Sequence, residues 1–154
     1  MVQKEVKDID ELDREIILEL QEDARRPYKT IAQKLGISEG TVKNRVTRLI
    51  ERGILVLEAR VNPFALPNRV AALVAVNMKD RSHEKAMKAI KNIPGVLAVW
   101  NSTGRYDLFF ELMVDSMQGL NEVLFKKHLT KIDSIASTET FVVLSSENKF
   151  FKLS

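Results

Sequence analysis

The side chains best equipped for chemistry lie between Ser38 and Arg48, in the run SEGTVKNRVTR. Lys43, Arg45 and Arg48 carry positive charge, Asn44 an amide, and Ser38, Thr41 and Thr47 hydroxyls. Arg pairs bidentately with a guanine edge and Asn with an adenine edge, while Thr reaches a base or packs on a thymine methyl. Lys and Arg also neutralise phosphate. Placed on one helix, these residues could read a DNA major groove, which admits a single α-helix. Any solvated helix also shows a charged face, so the surrounding elements must decide between the two readings. Catalysis has less to work with. The chain has no cysteine, which excludes disulfides and thiolate metal sites. Its two histidines, His83 and His128, fall in separate predicted helices, one a surface residue and one beside a helix C-terminus. No carboxylate pair stands out. No catalytic residue, metal ligand or cofactor is therefore assigned, and the chain is read as not an enzyme.

The elements that would position these side chains are legible on either side. Ile31, Ala32 and Leu35 have helical spacing. Gly36 can take the positive φ that ends a helix, Ile37 can plug the corner, and Ser38 can cap the next helix by accepting a free N–H. Val42, Val46, Leu49 and Ile50 then form one apolar stripe, which predicts a helix over Glu39–Arg52, about 20 Å long. Two helices joined by such a turn make a helix-turn-helix unit. Upstream, Asp10 reads as an N-cap, followed by Leu12, Ile16, Ile17 and Leu20 on one face of a support helix ending near Asp23. Pro27 suits the first turn of the helix after it. Residues 1–8 are polar and are expected to fray.

Charge is segregated. From Arg25 to Arg60 there are nine Lys/Arg against three Asp/Glu, whereas Asp8–Asp23 holds eight Asp/Glu and one Arg. The asymmetry predicts a basic face that meets a polyanion and an acidic outer face on the support helix that points away from it. The whole chain of 154 residues carries only +3.

After Gly53, Ile54–Val61 is rich in β-branched and apolar residues and reads as a strand. It would serve as a wing, or as a linker pairing with the same strand of a second subunit. Asn62-Pro63 and Leu66-Pro67-Asn68 break regular structure. The domain boundary is placed there, giving a DNA-binding domain over 1–61 and a second domain over 62–154. The second domain alternates: strand Val70–Met78, helix Ser82–Asn92, strand Val96–Ser102, a tight connection Thr103–Asp107, strand Leu108–Val114, helix Ser116–Leu129 and strand Ile135–Leu144. The order βαββαβ is ferredoxin-like, with two helices over one face of an antiparallel sheet. Phe109, Leu97 and Val142 make the sheet apolar on both sides, so a partner subunit's sheet is the expected cover. The fold class is thus α+β. The longest apolar segments are too short to span a bilayer, and MVQKEVKDIDELD holds no signal-like apolar run, so a cytoplasmic protein is expected.

Three stretches resemble the Lrp/AsnC family of transcriptional regulators over nearly the whole chain. IDELDREIILELQEDAR resembles the family's first helix, LGISEGTVKNRVTRLIERGIL its turn and recognition helix, and TGRYDLFFELMV with STETFVVL the Gly-x-Tyr-Asp loop and last strand of its effector-binding domain. The resemblance implies a winged helix-turn-helix domain and a ferredoxin-like regulatory domain, pairing through sheets into dimers and often assembling to tetramers or octamers on double-stranded DNA. It also implies a free amino-acid effector between dimers. By position Gly104, Tyr106 and Asp107 would fall at that interface, with Thr138 and Thr140 lining the same pocket. Asp107 would take the ammonium; amides near Gly104 and the two hydroxyls would take the carboxylate. The plainer alternative is a turn glycine, a capping Asp and strand-forming threonines. That version leaves an effector-independent architectural or autoregulatory DNA-binding protein. The sequence departs from the family at Leu66-Pro67-Asn68-Arg69, where a glycine usually precedes the first regulatory strand.

Overall fold

The computed structural model describes residues 9–147 and 149–151; the expectation for residues 1–8 lies outside them. The chain divides into two compact units, Met1–Glu58 and Ala59–Ser154.

The first unit is three helices: α1 (Glu11–Glu22), α2 (Tyr28–Leu35) and α3 (Glu39–Glu51). Asp10 starts α1 with a reciprocal capping box: its carboxylate accepts the Asp13 N–H at 2.8 Å and Asp13 reaches back to the Asp10 N–H. Gly36 ends α2 in the left-handed region at φ 67°, where a Cβ would be strained. Ser38 caps α3, accepting the Thr41 N–H at 3.1 Å. The core between the helices is Ile16, Leu20, Ile31, Ala32, Val42 and Val46, with Leu12, Leu35, Ile37 and Leu55 packed around it. Ile50, expected in the buried stripe, is exposed, because Leu49 takes the inward position at the last turn.

The predicted strand Ile54–Val61 is not formed. Only Val61 makes a bridge, with Phe151, at 2.8 and 2.9 Å. A strand exists only through a ladder, and within one chain 54–60 finds no strand to pair with; Val56 and Leu57 stay exposed.

The second unit opens with a short 3₁₀ turn, Pro63–Ala65, capped by the Asn62 side chain. Asn68 then takes φ 58°, so an Asn supplies the left-handed residue before the first strand. The sheet follows the expected plan: β1 (Val70–Met78), α4 (His83–Lys91), β2 (Val96–Asn101), β3 (Leu108–Val114), α5 (Met117–Asn121) and β4 (Ile135–Val143). Its order is β2-β3-β1-β4, with every neighbour antiparallel. The predicted helix 116–129 is broken up: α5 passes into a π-helical stretch, Glu122–Lys127, and then a 3₁₀ turn, Leu129–Lys131. Leu120, Val123 and Leu124 face the sheet, and Met117 at the start of α5 is exposed.

Antiparallel partners share a face of the sheet. Ala72, Val74 and Val76 on β1 therefore share the helix-covered face with Phe110 and Leu108 on β3, and this layer with Ala86, Ile90 and Leu124 is the core. The other face carries Ala71, Leu73 and Ala75 with Met113, Glu111 and Phe109. At one end it is covered by the C-terminal segment, where Phe151 packs on Ala71 and Met113 and Lys149 pairs with Glu111. Val142 lies opposite Ala72 and so belongs to the helix-covered side, not the open one expected for it.

Candidate nucleic-acid interface and regulatory loop

The capped start and apolar stripe of α3 turn its remaining side chains in two directions. Lys43, Asn44 and Thr47 are exposed. Ser38 and Thr41 sit at the helix start with their hydroxyls 2.8 Å apart. These five form one polar strip along the outer helix.

Arg45 and Arg48, expected on that strip, turn instead toward α1. Arg45 Nη1 lies 2.6 and 2.7 Å from the two Asp10 carboxylate oxygens and 2.9 Å from Asp13 Oδ1. Arg48 Nη2 donates to Asp13 Oδ2 at 2.7 Å. Asp13 is fully buried; the Arg45 side chain is 24 % exposed, Arg48 47 % and Asp10 53 %. A buried carboxylate demands such partners, since an unpaired buried charge is strongly destabilising. The Arg45 guanidinium holds the Asp10 carboxyl below its ordinary range, and the same contact raises Arg45.

The acidic outer face expected for α1 is present in part: Glu11, Glu15 and Glu22 are exposed, whereas Asp13 and Glu19 are buried as partners. Glu19 takes Lys34 of α2 and Arg26 of the preceding loop, and Arg26 also reaches Glu22 at 3.0 Å. Lys34, then Arg26, hold Glu19 below the usual carboxylate range against a desolvation that pushes it up. A signal was present in the sequence. Asp10 and Asp13 are three apart, as are Arg45 and Arg48, so each pair occupies one helix face and the two faces match.

In the second unit the loop residues separate. Gly104 is exposed in the β2–β3 connection. Tyr106 donates its hydroxyl to Glu139, which raises the phenol above its normal value, and its ring meets Phe109 edge-on at 5.7 Å. Asp107 accepts the Met78 N–H at 2.7 Å, and its own N–H donates to the Val76 carbonyl at 2.9 Å, so it ties the connection to the end of β1. Thr138 and Thr140 lie opposite Val76 and Val74 on the helix-covered side. Thr140 lines a groove of about 550 Å³ with Leu124, Phe125 and Val142. Glu139, the partner of Tyr106, lies on the other face opposite Ala75. Within one chain, therefore, the expected five-residue pocket is not assembled, because strand parity puts Tyr106 and the two threonines on opposite sides of the sheet. Glu139, which sequence reasoning passed over, is the β4 residue that meets the loop.

A helix-turn-helix domain followed by a four-stranded α+β domain is the build of a two-domain transcriptional regulator. Residues 9–50 match the AsnC-type helix-turn-helix domain and residues 71–150 the Lrp/AsnC ligand binding domain. A helix-turn-helix transcriptional regulator of Pyrococcus furiosus is 36% identical over 138 residues, covering 89% of this chain and 93% of that protein. The regulatory protein AsnC of Escherichia coli is 33% identical over 140 residues, covering 90% and 91%. The solved structure of E. coli AsnC has a TM-score of 0.70 at 31% identity over 90% of this chain and 93% of that one. The leucine response regulatory protein of Mycobacterium tuberculosis has 0.80 at 26% over 92% and 96%. The chain belongs to the Lrp/AsnC family, whose members are transcriptional regulators rather than enzymes. Among the described residues no helix is long and apolar enough to cross a membrane.

Proposed function

We propose that this regulator binds double-stranded DNA sequence-specifically through α3, with residues 1–61 as the DNA-binding domain and 62–154 as the domain that assembles copies and senses a small molecule. The observation that carries the reading is the exposed strip of Lys43, Asn44 and Thr47 on a helix whose opposite stripe is sealed in the core. Ser38 and Thr41 at the helix start suit phosphate or base contact. Arg45 and Arg48 support the interface from behind by clamping α3 to α1. Two such helices, paired by a two-fold axis, would read half-sites about one helical turn apart or multiples of it. The test is a gel-shift series on genomic DNA fragments over a range of salt. Lys43→Ala is expected to weaken binding to all sequences and flatten the salt slope by about 1. Asn44→Ala is expected to lose about 1–3 kcal/mol on preferred sites only. Unchanged binding in both would remove α3 as the DNA-facing element.

The regulatory input we propose is a free amino acid held where copies meet, with Gly104, Tyr106 and Asp107 from one chain and Thr138 and Thr140 from another. The match to a ligand binding domain supports it. So does the separation of these residues within one chain, which a second copy would remedy. An effector would act only by binding one assembly or orientation better than another. The effector-independent alternative is favoured by one observation, the use of the Asp107 carboxylate to hold the Met78 N–H. Thermal melts with each of the twenty amino acids decide between them. A rise for one amino acid, lost in Asp107→Asn, supports the effector. No rise for any supports the alternative.

A further inference from the structure

Asp10 has a charge that its helix does not need. Its N-cap bond to the Asp13 N–H at 2.8 Å requires an oxygen, and an Asn or Ser would serve. The structural anchor of α3 is the fully buried Asp13, which gives one oxygen to Arg45 and the other to Arg48. What remains for the Asp10 charge is Arg45, whose Nη1 it holds at 2.6 and 2.7 Å. We propose that Asp10 is an affinity-limiting residue: it withholds the Arg45 guanidinium from the phosphates of DNA, whatever the sequence. The inference rests on α3 being the DNA-facing helix.

The charges support it. Asp10, Asp13, Arg45 and Arg48 together are neutral. With both arginines neutralised, α3 keeps Lys43 against Glu39 and Glu51, so its own pull on a polyanion is weak and rests on Lys43. Non-specific binding is phosphate neutralisation and little else. A phosphate accepts from a guanidinium as a carboxylate does, and the Asp10 carboxylate is half exposed and close to that exchange. Releasing Arg45 would therefore strengthen binding to every sequence alike, while base contacts from Asn44 gain nothing. The ratio of specific to non-specific affinity stays as it was, and what rises is the occupancy of every duplex.

The test uses the full chain on a short duplex of scrambled sequence, titrated over a range of salt. Asp10→Asn is expected to bind roughly two- to fivefold tighter than the unaltered chain, with a salt slope steeper by about 0.9. Glu15→Gln removes the same charge from an exposed site on α1 and is expected to leave affinity unchanged. The gain is expected to vanish when Asp10→Asn is placed on Arg45→Ala. Asp10→Ser, another good cap, repeats the measurement should the Asn variant melt early. An equal gain in Glu15→Gln overturns the proposal, as does a gain that persists without Arg45, or no gain in either Asp10 variant. Failure of the unaltered chain to bind any duplex would instead sink the DNA-facing assignment of α3, and the role of Asp10 with it.

Discussion

Carboxylates hold the helix-turn-helix unit together at the residue scale. Asp10 and Glu19 both titrate below their ordinary values, Asp10 through Arg45 and Glu19 chiefly through Lys34. A group with a depressed folded pKa contributes stability above its unfolded pKa and loses it as pH falls through the folded one. The first unit should therefore weaken as pH drops below about 4, near the unfolded pKa of Asp and Glu. Urea melts at neutral pH and at successively lower pH should show the midpoint falling. In Glu19→Gln, which has no charge to lose, the fall should be smaller; an equal fall in both would deny Glu19 the role. The acidic and basic blocks were plain in the sequence, but their destination was not. Charge composition records the sign of a segment. Whether Asp13 faces water or the inside of the unit depends on which helix packs over it, and that is tertiary.

At the scale of elements, legibility followed local signals. β1 and β3 begin and end where their apolar runs do, because Asn68-Arg69, Lys79-Asp80 and Asp107 bound them. The caps at Asp10, Gly36 and Ser38 were equally readable, since each depends on a few neighbouring atoms. Ile54–Val61 misled because its composition suits a strand, while residues 54–60 pair with no described strand of this chain. The π-helical stretch 122–127 was invisible, as the apolar spacing of Leu120, Val123 and Leu124 fits an ordinary helix too. One turn is tighter than its Pro94-Gly95 signature shows. Gly95 sits at φ 86°, and a Cβ there would stand 2.3 Å from the Met113 carbonyl oxygen across the irregular end of the β2–β3 ladder. Gly95→Ala should cost about 2–4 kcal/mol through backbone strain and overlap together. Denaturant titration would measure it, and a loss below about 0.5 kcal/mol, the level of an ordinary surface change, would show that the turn relaxes freely.

For the molecule as a whole, the family's architecture could be read along the chain, and the residues proposed to hold an effector could be placed on their elements. Their grouping into one pocket could not, because parity decides it: Thr138 and Thr140 share a face with Val76 and Val74, and Glu139 does not. Residues one apart in sequence end on opposite sides of the sheet. The same parity sets Trp100 beside Phe109 on the face away from the helices, their rings 6.2 Å apart, with Phe141 on that face too, and Trp100 and Phe141 both exposed.

Trp100 is the chain's sole tryptophan, which makes that face optically self-reporting. An indole partly in water emits at longer wavelength than one enclosed by protein, so no dye or tag is required to watch the sheet become covered. If a second copy covers this face, diluting the protein should shift the emission to the red, with a midpoint equal to the dissociation constant of the pair. A spectrum that holds still across dilution, while sedimentation reports the loss of dimer, would mean that the copies join elsewhere.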